Sequence, residues 1–391
     1  MKRLILLLLI FEVFGFGSTR GQEFSYNQGG AAGKNYFEVI PYESNNDKII
    51  VNVEIGGKVR RFLWDTGSST IIGEDLFREF NPRAMHKQPV FDSFKNKDTM
   101  LVVSLNEIKL GSIVFNGIPA SVVESSLDWF KCLNVEGIIG SSMLRNSIVQ
   151  ISSKNHTITI TDNQKLLAPD KGSTSKLKLD RYSHPFIQIS INKIPLDVLF
   201  DSGSNALLSL SNGLMSKMIA GEKKNPFEIV STGYGTNAFG LFGAENSAEK
   251  YRLNLSLLQI SGGKFVNAIV ETSNSIQSSI GSELLNYGIV TLDYQNKKFC
   301  FEPFESEIDL TEKKWPVSPT VINGQLAVGV VWGALKDQIN LGDRIIAIDS
   351  TNYENWDICN LQSVSLKDKD KATLTLMDKN GSVKRVEIHK E

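Results

Sequence analysis

Apolar and polar positions alternate in two stretches of the chain that match one another. Val51, Val53 and Ile55 take every second place in VNVEI, and Ile187, Ile189 and Ile191 do so in IQISI. Side chains of a strand point alternately to its two faces, so this period of two predicts half-buried strands. Gly56-Gly57 in the first copy and Asn192-Lys193 in the second are turn candidates. Each turn leads into an apolar run, Phe62-Leu63-Trp64 or Val198-Leu199-Phe200, that ends at an aspartate, Asp65 or Asp201. Residues 51–72 and 187–208 align without a gap, with the second aspartate 136 residues after the first.

A second matched pair follows in each half. Residues 138–160 and 279–301 both read as an apolar-Gly-Ser segment, a short Leu-containing turn or helix, and a hairpin bending near Asn155 or Asn296. The same elements in the same order predict a duplicated, pseudo-twofold pair of β-rich lobes, over 34–165 and 175–305. The polar stretch Thr161–Ser175, with Pro169 and Gly172, has the composition of a linker between them. A third unit, 315–391, follows the polar run Glu302–Lys314.

Composition narrows the picture. With 42 Lys and Arg against 43 Asp and Glu, the 391-residue chain has no basic bias, so nucleic acid is not an expected partner. Lys2 and Arg3 precede a mostly apolar run, Leu4–Phe16, followed by small residues between Gly17 and Gln22. That order predicts an export signal over 1–21, hence a periplasmic or secreted protein. The run is shorter than the ~20 residues a spanning helix needs, although a retained N-terminal anchor is the competing reading. No membrane span is expected once the signal is removed. Cys132, Cys300 and Cys359 are too few and too scattered for a disulfide framework; small buried side chains with at most one incidental bridge are expected. His86, His156, His184 and His389 show no metal-ligand spacing, so neither a metal nor a cofactor is expected.

An Asp-Thr-Gly-Ser or Asp-Ser-Gly-Ser after an apolar strand can be a mere surface turn. Two of them, Asp65–Ser68 and Asp201–Ser204, at equivalent places in a repeat are a chemical signal. Two carboxyls held close cannot both ionise cheaply, so they share one proton and supply an acid and a base together. Gly67 and Gly203 allow a tight turn and a close approach to the carboxylates. Over about residues 45–305 the chain resembles the two-lobed aspartic peptidases of the pepsin and retropepsin type. The resemblance implies that Asp65 and Asp201 are catalytic and hold the attacking water. It implies that Ile138-Ile139-Gly140 and Ser279-Ile280-Gly281 thread the two loops, although Ser279 departs from the apolar pattern. It also implies that Thr66 and Ser202 cross-link the loops, that Ser68 and Ser204 donate to the outer carboxylate oxygens, and that hairpin flaps close over substrate. The flaps would lie within Asn81–Met100, which lacks a tyrosine, and Ser231–Glu245, whose glycine spacing does not fit a phosphate-binding loop.

In the third unit, LAVGVV followed by Leu341–Asp349 (LGDRIIAID) resembles a PDZ domain of the bacterial type, with a closing hairpin of Lys371–Met377 and Val383–His389. Such modules bind peptide C-termini or extended strands at a sheet edge. Asn323, Gly324, Gln325 and Leu326 are the candidate carboxylate-binding loop, or simply a turn before a strand. The expected fold is mostly β: two acid-protease-like lobes followed by a small PDZ-like α+β domain. The expected function is cleavage of peptides or unfolded segments by an exported aspartic endopeptidase. The alternative is a non-catalytic peptide-binding protein that keeps the fold.

Overall fold

The computed structural model describes residues 24–167, 174–221 and 226–391, apart from 363, 365, 367 and 368. The expected signal segment, 1–21, and residues 168–173 of the expected linker lie outside the described residues.

The two matched segments fold as matched hairpins. Lys48–Ile55 pairs with Lys58–Asp65, and Pro185–Ile191 pairs with Ile194–Phe200, each in antiparallel register up to the residue beside the turn. Gly56-Gly57 and Asn192-Lys193 all have positive φ, as a two-residue turn requires when it matches the right-handed twist of its strands. Val51, Val53 and Ile55, with Ile187, Ile189 and Ile191, are buried on the inward face, as the period of two demands.

Longer hairpins rise from each half. Arg83–Phe91 pairs with Lys97–Leu105 around a turn at 92–96. Glu228–Gly235 pairs with Ala248–Ile260, and between them lies the small hairpin Phe239–Gly240 and Gly243–Ala244. Beneath both halves runs one antiparallel sheet in the order 37–45, 157–161, 148–152, 288–293, 298–303, 174–179. Its pseudo-twofold axis passes between 148–152 and 288–293, so each half supplies three equivalent strands. A continuous apolar core, including Trp64, Phe115, Phe200 and Phe299, joins the two halves.

Residues 315–391 pack around a core of their own, formed by Leu326, Val328, Ile345, Leu374 and Leu376. The hairpin of Lys371–Met377 and Val383–His389 is present with the expected limits. The unit is nevertheless not a free appendage. Its strand Gln325–Trp332 continues the sheet of the second half by pairing with Glu228–Gly235, Gly233 opposite Trp332 and Gly235 opposite Val330. Arg252 stacks 4.1 Å from the Trp332 ring centre, donates to the Trp315 carbonyl at 2.8 Å and is paired with Glu271. On the other side, a disulfide joins Cys132 of the first half to Cys359, with Cα atoms 4.9 Å apart. Cys300 is buried outside that bridge. The single bridge is therefore not incidental: it ties the first half to the C-terminal unit, which is itself joined to the second half.

Candidate active site

Each aspartate ends a strand and begins a tight loop. Asp65 closes Lys58–Asp65, and the Ser68 amide returns to the Asp65 carbonyl at 3.3 Å. Asp201 follows Ile194–Phe200, and the Ser204 amide returns to its carbonyl at 3.1 Å. The Gly67 amide donates to Asp65 Oδ1 at 2.8 Å, and the Gly203 amide donates to Asp201 Oδ1 at 3.0 Å. The later segments thread these loops. Gly137–Gly140 runs parallel to the first strand with Gly140 opposite Asp65, while Ser279–Ile280 runs parallel to the second. The Ser141 amide donates to Ser68 O at 2.9 Å, and the Ser282 amide donates to Ser204 O at 2.8 Å. A Cβ on Gly140 would lie 2.3 Å from Ser68 O, and one on Gly281 would lie 2.4 Å from Ala206 O, so only glycine lets the threading strand pass. Past Ser279 the second loop is met by backbone, the Asp201 amide donating to Ile280 O and the Gly281 amide to Ala206 O, both at 2.8 Å.

The two loops meet through four buried hydrogen bonds. Thr66 Oγ1 donates to Phe200 O at 2.7 Å and accepts the Ser202 amide at 3.0 Å. Ser202 Oγ donates to Trp64 O at 3.0 Å and accepts the Thr66 amide at 3.0 Å. Both hydroxyl residues are fully buried. Ser141 adds a link beneath this lattice, donating to Thr66 O at 2.7 Å and meeting the buried Tyr294 hydroxyl at 2.9 Å.

This lattice brings the carboxyls of Asp65 and Asp201 within hydrogen-bonding reach of each other. A Cβ on Gly67 would fall 2.5 Å from the Asp201 carboxyl carbon, and one on Gly203 would fall 2.5 Å from that of Asp65. Each glycine thus makes room for the carboxyl of the opposite half, and neither has positive φ. Burial, then the charge and hydrogen bond of Asp201, push the Asp65 carboxyl well above the ordinary carboxylate range; the Gly67 amide and Lys48 oppose that rise.

One expected role is corrected. The Ser68 hydroxyl donates to the Ser69 carbonyl at 2.8 Å, and among the described residues neither Ser68 nor Ser204 gives its hydroxyl to an aspartate. Those serines build the loops through their backbone, where Ser204 O also accepts the Ser282 hydroxyl at 3.0 Å. The candidate loop Asn323–Leu326 lies at a hairpin turn. Asn323 and Gly324, both at positive φ, are the two-residue turn of the hairpin Val317–Ile322 and Gln325–Trp332, and Leu326 is buried in the C-terminal core.

Both expected flaps are hairpins, and their tips touch. Asp92 accepts the amides of Phe94 and Asn96 at 2.9 Å, building its own turn, and accepts the Phe242 amide of the opposite tip at 3.2 Å. Asn96 reaches Ala244 O at 3.3 Å, and the Ile276 amide reaches Ser93 O at 3.0 Å. Leu241 and Phe242 pack against a cluster of the first half that includes Met100 and Phe130.

Sequence reasoning missed Lys48. Its ammonium donates to the Gly203 carbonyl, next to Asp201, although 155 residues separate the two. The repeat held a signal: Lys48 aligns with His184, so a basic side chain stands three positions before Val51 in one copy and before Ile187 in the other. His184 is held by Asp180 at 3.0 Å.

A family model described as aspartyl protease matches residues 51–143, the segment holding the first aspartate loop and its threading strand. No curated protein matches the chain. Among solved structures, the basic 7S globulin of soybean is 10% identical at a TM-score of 0.40, over 70% of this chain and 96% of that one. Conglutin gamma, a basic 7S globulin from lupine seeds, is 12% identical at 0.40 over the same shares. A retropepsin-like aspartic protease from Rickettsia conorii is 17% identical at 0.25, over 33% of this chain and 94% of that one.

Proposed function

We propose that the protein is an exported aspartic endopeptidase in which Asp65 and Asp201 activate water to hydrolyse peptide bonds. The observation that carries this reading is the paired carboxyls, brought together by the Thr66–Ser202 lattice and each oriented by a glycine amide. A surface turn needs no such lattice, and a pure binding site gains nothing from two buried acids forced together.

The chemistry follows from the shared proton. The ionised carboxylate takes a proton from water as its oxygen attacks the scissile carbonyl carbon, and the protonated carboxyl gives its proton to the carbonyl oxygen. The product is a tetrahedral diol, and the dyad again holds one proton. The protonated carboxyl then gives its proton to the amide nitrogen, while the ionised one takes a proton from a diol hydroxyl. The C–N bond breaks, an amine and a carboxylic acid leave, and the dyad again holds one proton. The two titrations belong to the pair, so neither residue is permanently acid or base. Substrates are peptides or unfolded segments that lie extended beneath the two flaps, which must part at Asp92 and Phe242 to admit them. Export rests on the apolar pattern of residues 4–16. The C-terminal unit braces the cleft in this reading and is assigned no peptide carboxylate.

The test is incubation of the purified protein with a diverse peptide pool from pH 3 to 7.5, with products read by mass spectrometry. Cleavage at internal bonds, blocked by a peptide carrying a secondary alcohol in place of the scissile carbonyl, is the expected result. Peptides bound but left whole at every pH would show a binding protein that retains the fold.

A further inference from the structure

We propose that Lys48 is a positioning residue of the dyad: the hairpin turn that carries it is pinned across the lobe boundary so that its ammonium holds the Asp201 loop and sets a positive charge beside both carboxyls. The inference rests on the peptidase reading for its kinetic consequence and on geometry for the rest. The turn joins Phe37–Asn45 to Lys48–Ile55, with Asn45 opposite Lys48 and with Asn46 and Asp47 at positive φ. Three contacts fasten it to the second half. Asn205 donates to Asn46 O at 3.2 Å, the Ser282 hydroxyl is shared between Asp47 O and Ser204 O at 3.0 Å each, and Lys48 Nζ donates to Gly203 O. Asn205 belongs to the loop after Asp201, and Ser282 opens the 3-10 turn that follows the threading strand. The turn of the first half is therefore part of the frame of the second aspartate.

The charge has a consequence that a neutral donor would lack. Burial lowers the proton affinity of Lys48, and the charges of Asp201, Asp65 and Asp47 oppose that fall. A dyad sharing one proton carries a single negative charge through every step of hydrolysis. Lys48 balances that charge and lowers the proton affinity of Asp65, and through it that of the pair as a unit, without entering the reaction. The acidic limb of the rate profile reaches lower pH because of it, and the basic limb falls at lower pH as well. Burial and mutual repulsion push the other way, so the working range reflects a contest in which Lys48 is the opposing cation.

The experiment compares kcat/KM against pH for the intact protein and for Lys48→Met, Lys48→Gln and Lys48→Arg. A neighbouring opposite charge typically lowers a carboxyl's pKa by about 1–3 units, so both limbs of the Met and Gln variants should move upward by roughly that much. Arg keeps the charge, so its limbs should stay near those of the parent. Limbs that do not move in the neutral variants would overturn the proposal, as would an Arg variant displaced as far as they are. Carboxyl-carbon NMR titration of Asp65 and Asp201 supplies a readout that needs no turnover. If the protein cuts no peptide yet the carboxyl titrations rise in Lys48→Met and not in Lys48→Arg, the peptidase reading fails and the placement of Lys48 stands.

Discussion

Removing the Thr66 hydroxyl is the sharpest perturbation of the frame that holds the dyad. Thr66→Val keeps the shape of the side chain and deletes two of the four inter-loop hydrogen bonds, those to Phe200 O at 2.7 Å and from the Ser202 amide at 3.0 Å. Both partners are buried in the lattice, where water cannot replace the lost hydroxyl. A buried group deprived of its partner costs about 1–3 kcal/mol, so the two together predict a loss of about 2–6 kcal/mol. That is a large share of the roughly 5–15 kcal/mol by which folded proteins are stable. Ser202→Ala removes the other two bonds, to Trp64 O and from the Thr66 amide, and pseudo-symmetry predicts a comparable loss. Urea unfolding of both variants and of the double variant is the assay, with the slope checked for constancy. Because all four bonds form one network, the double variant should depart from additivity by 0.5 kcal/mol or more, on the order expected for residues in contact. Losses below about 0.5 kcal/mol in both single variants would refute the claim that this lattice fixes the two loops.

Three other outcomes follow from the structure. Asp65→Asn should raise the melting temperature near neutral pH and not at pH 3: a buried acid of raised proton affinity costs stability as pH climbs from the ordinary carboxylate value through its raised one, and nothing below both. Cys132→Ser with Cys359→Ser, closing no loop across 227 residues, should lower stability by up to about 5 kcal/mol on chain-entropy grounds, and urea midpoints with and without reductant should reproduce that loss in the parent only. Asp92→Ala removes the acceptor shared by Phe94, Asn96 and Phe242, so hydrogen exchange should quicken at both flap tips while the amides of Gly67 and Gly203 remain protected.

Much of this architecture was legible because it is local. Alternation at Val51–Ile55 and Ile187–Ile191, the turn residues that follow, and the hairpin at Lys371–His389 each depend on a few neighbouring residues. The repeat then related the two aspartates without any knowledge of packing. The direction a side chain takes within a turn, and contacts between distant segments, were not legible in the same way. The Ser68 hydroxyl finds the carbonyl of Ser69, because the turn aims it there and not at Asp65. At Asn323–Gly324 the sequence offered a turn before a strand, but not the register that makes it the two-residue turn of a hairpin. The third unit read as a separate module; its union with the second half depends on Arg252 meeting Trp332 and on two sheet edges aligning, which no local pattern encodes. Lys48 was passed over for the same reason, although the basic residue at the matching place in the other copy was a usable sign.

The central claim is that hydrolysis is carried by Asp65 and Asp201 as an equivalent pair. Its most direct test is the rate of peptide cleavage by Asp65→Asn and Asp201→Asn beside the parent, at the parent's best pH, with folding verified by circular dichroism and urea unfolding. Each substitution leaves an oxygen to accept its glycine amide and removes one member of the acid–base pair. Both variants should therefore stay folded, bind the same peptides and cleave at least ~10²–10⁴-fold more slowly. Cleavage that survives either substitution at the parental rate would place the chemistry elsewhere in the molecule and contradict the account.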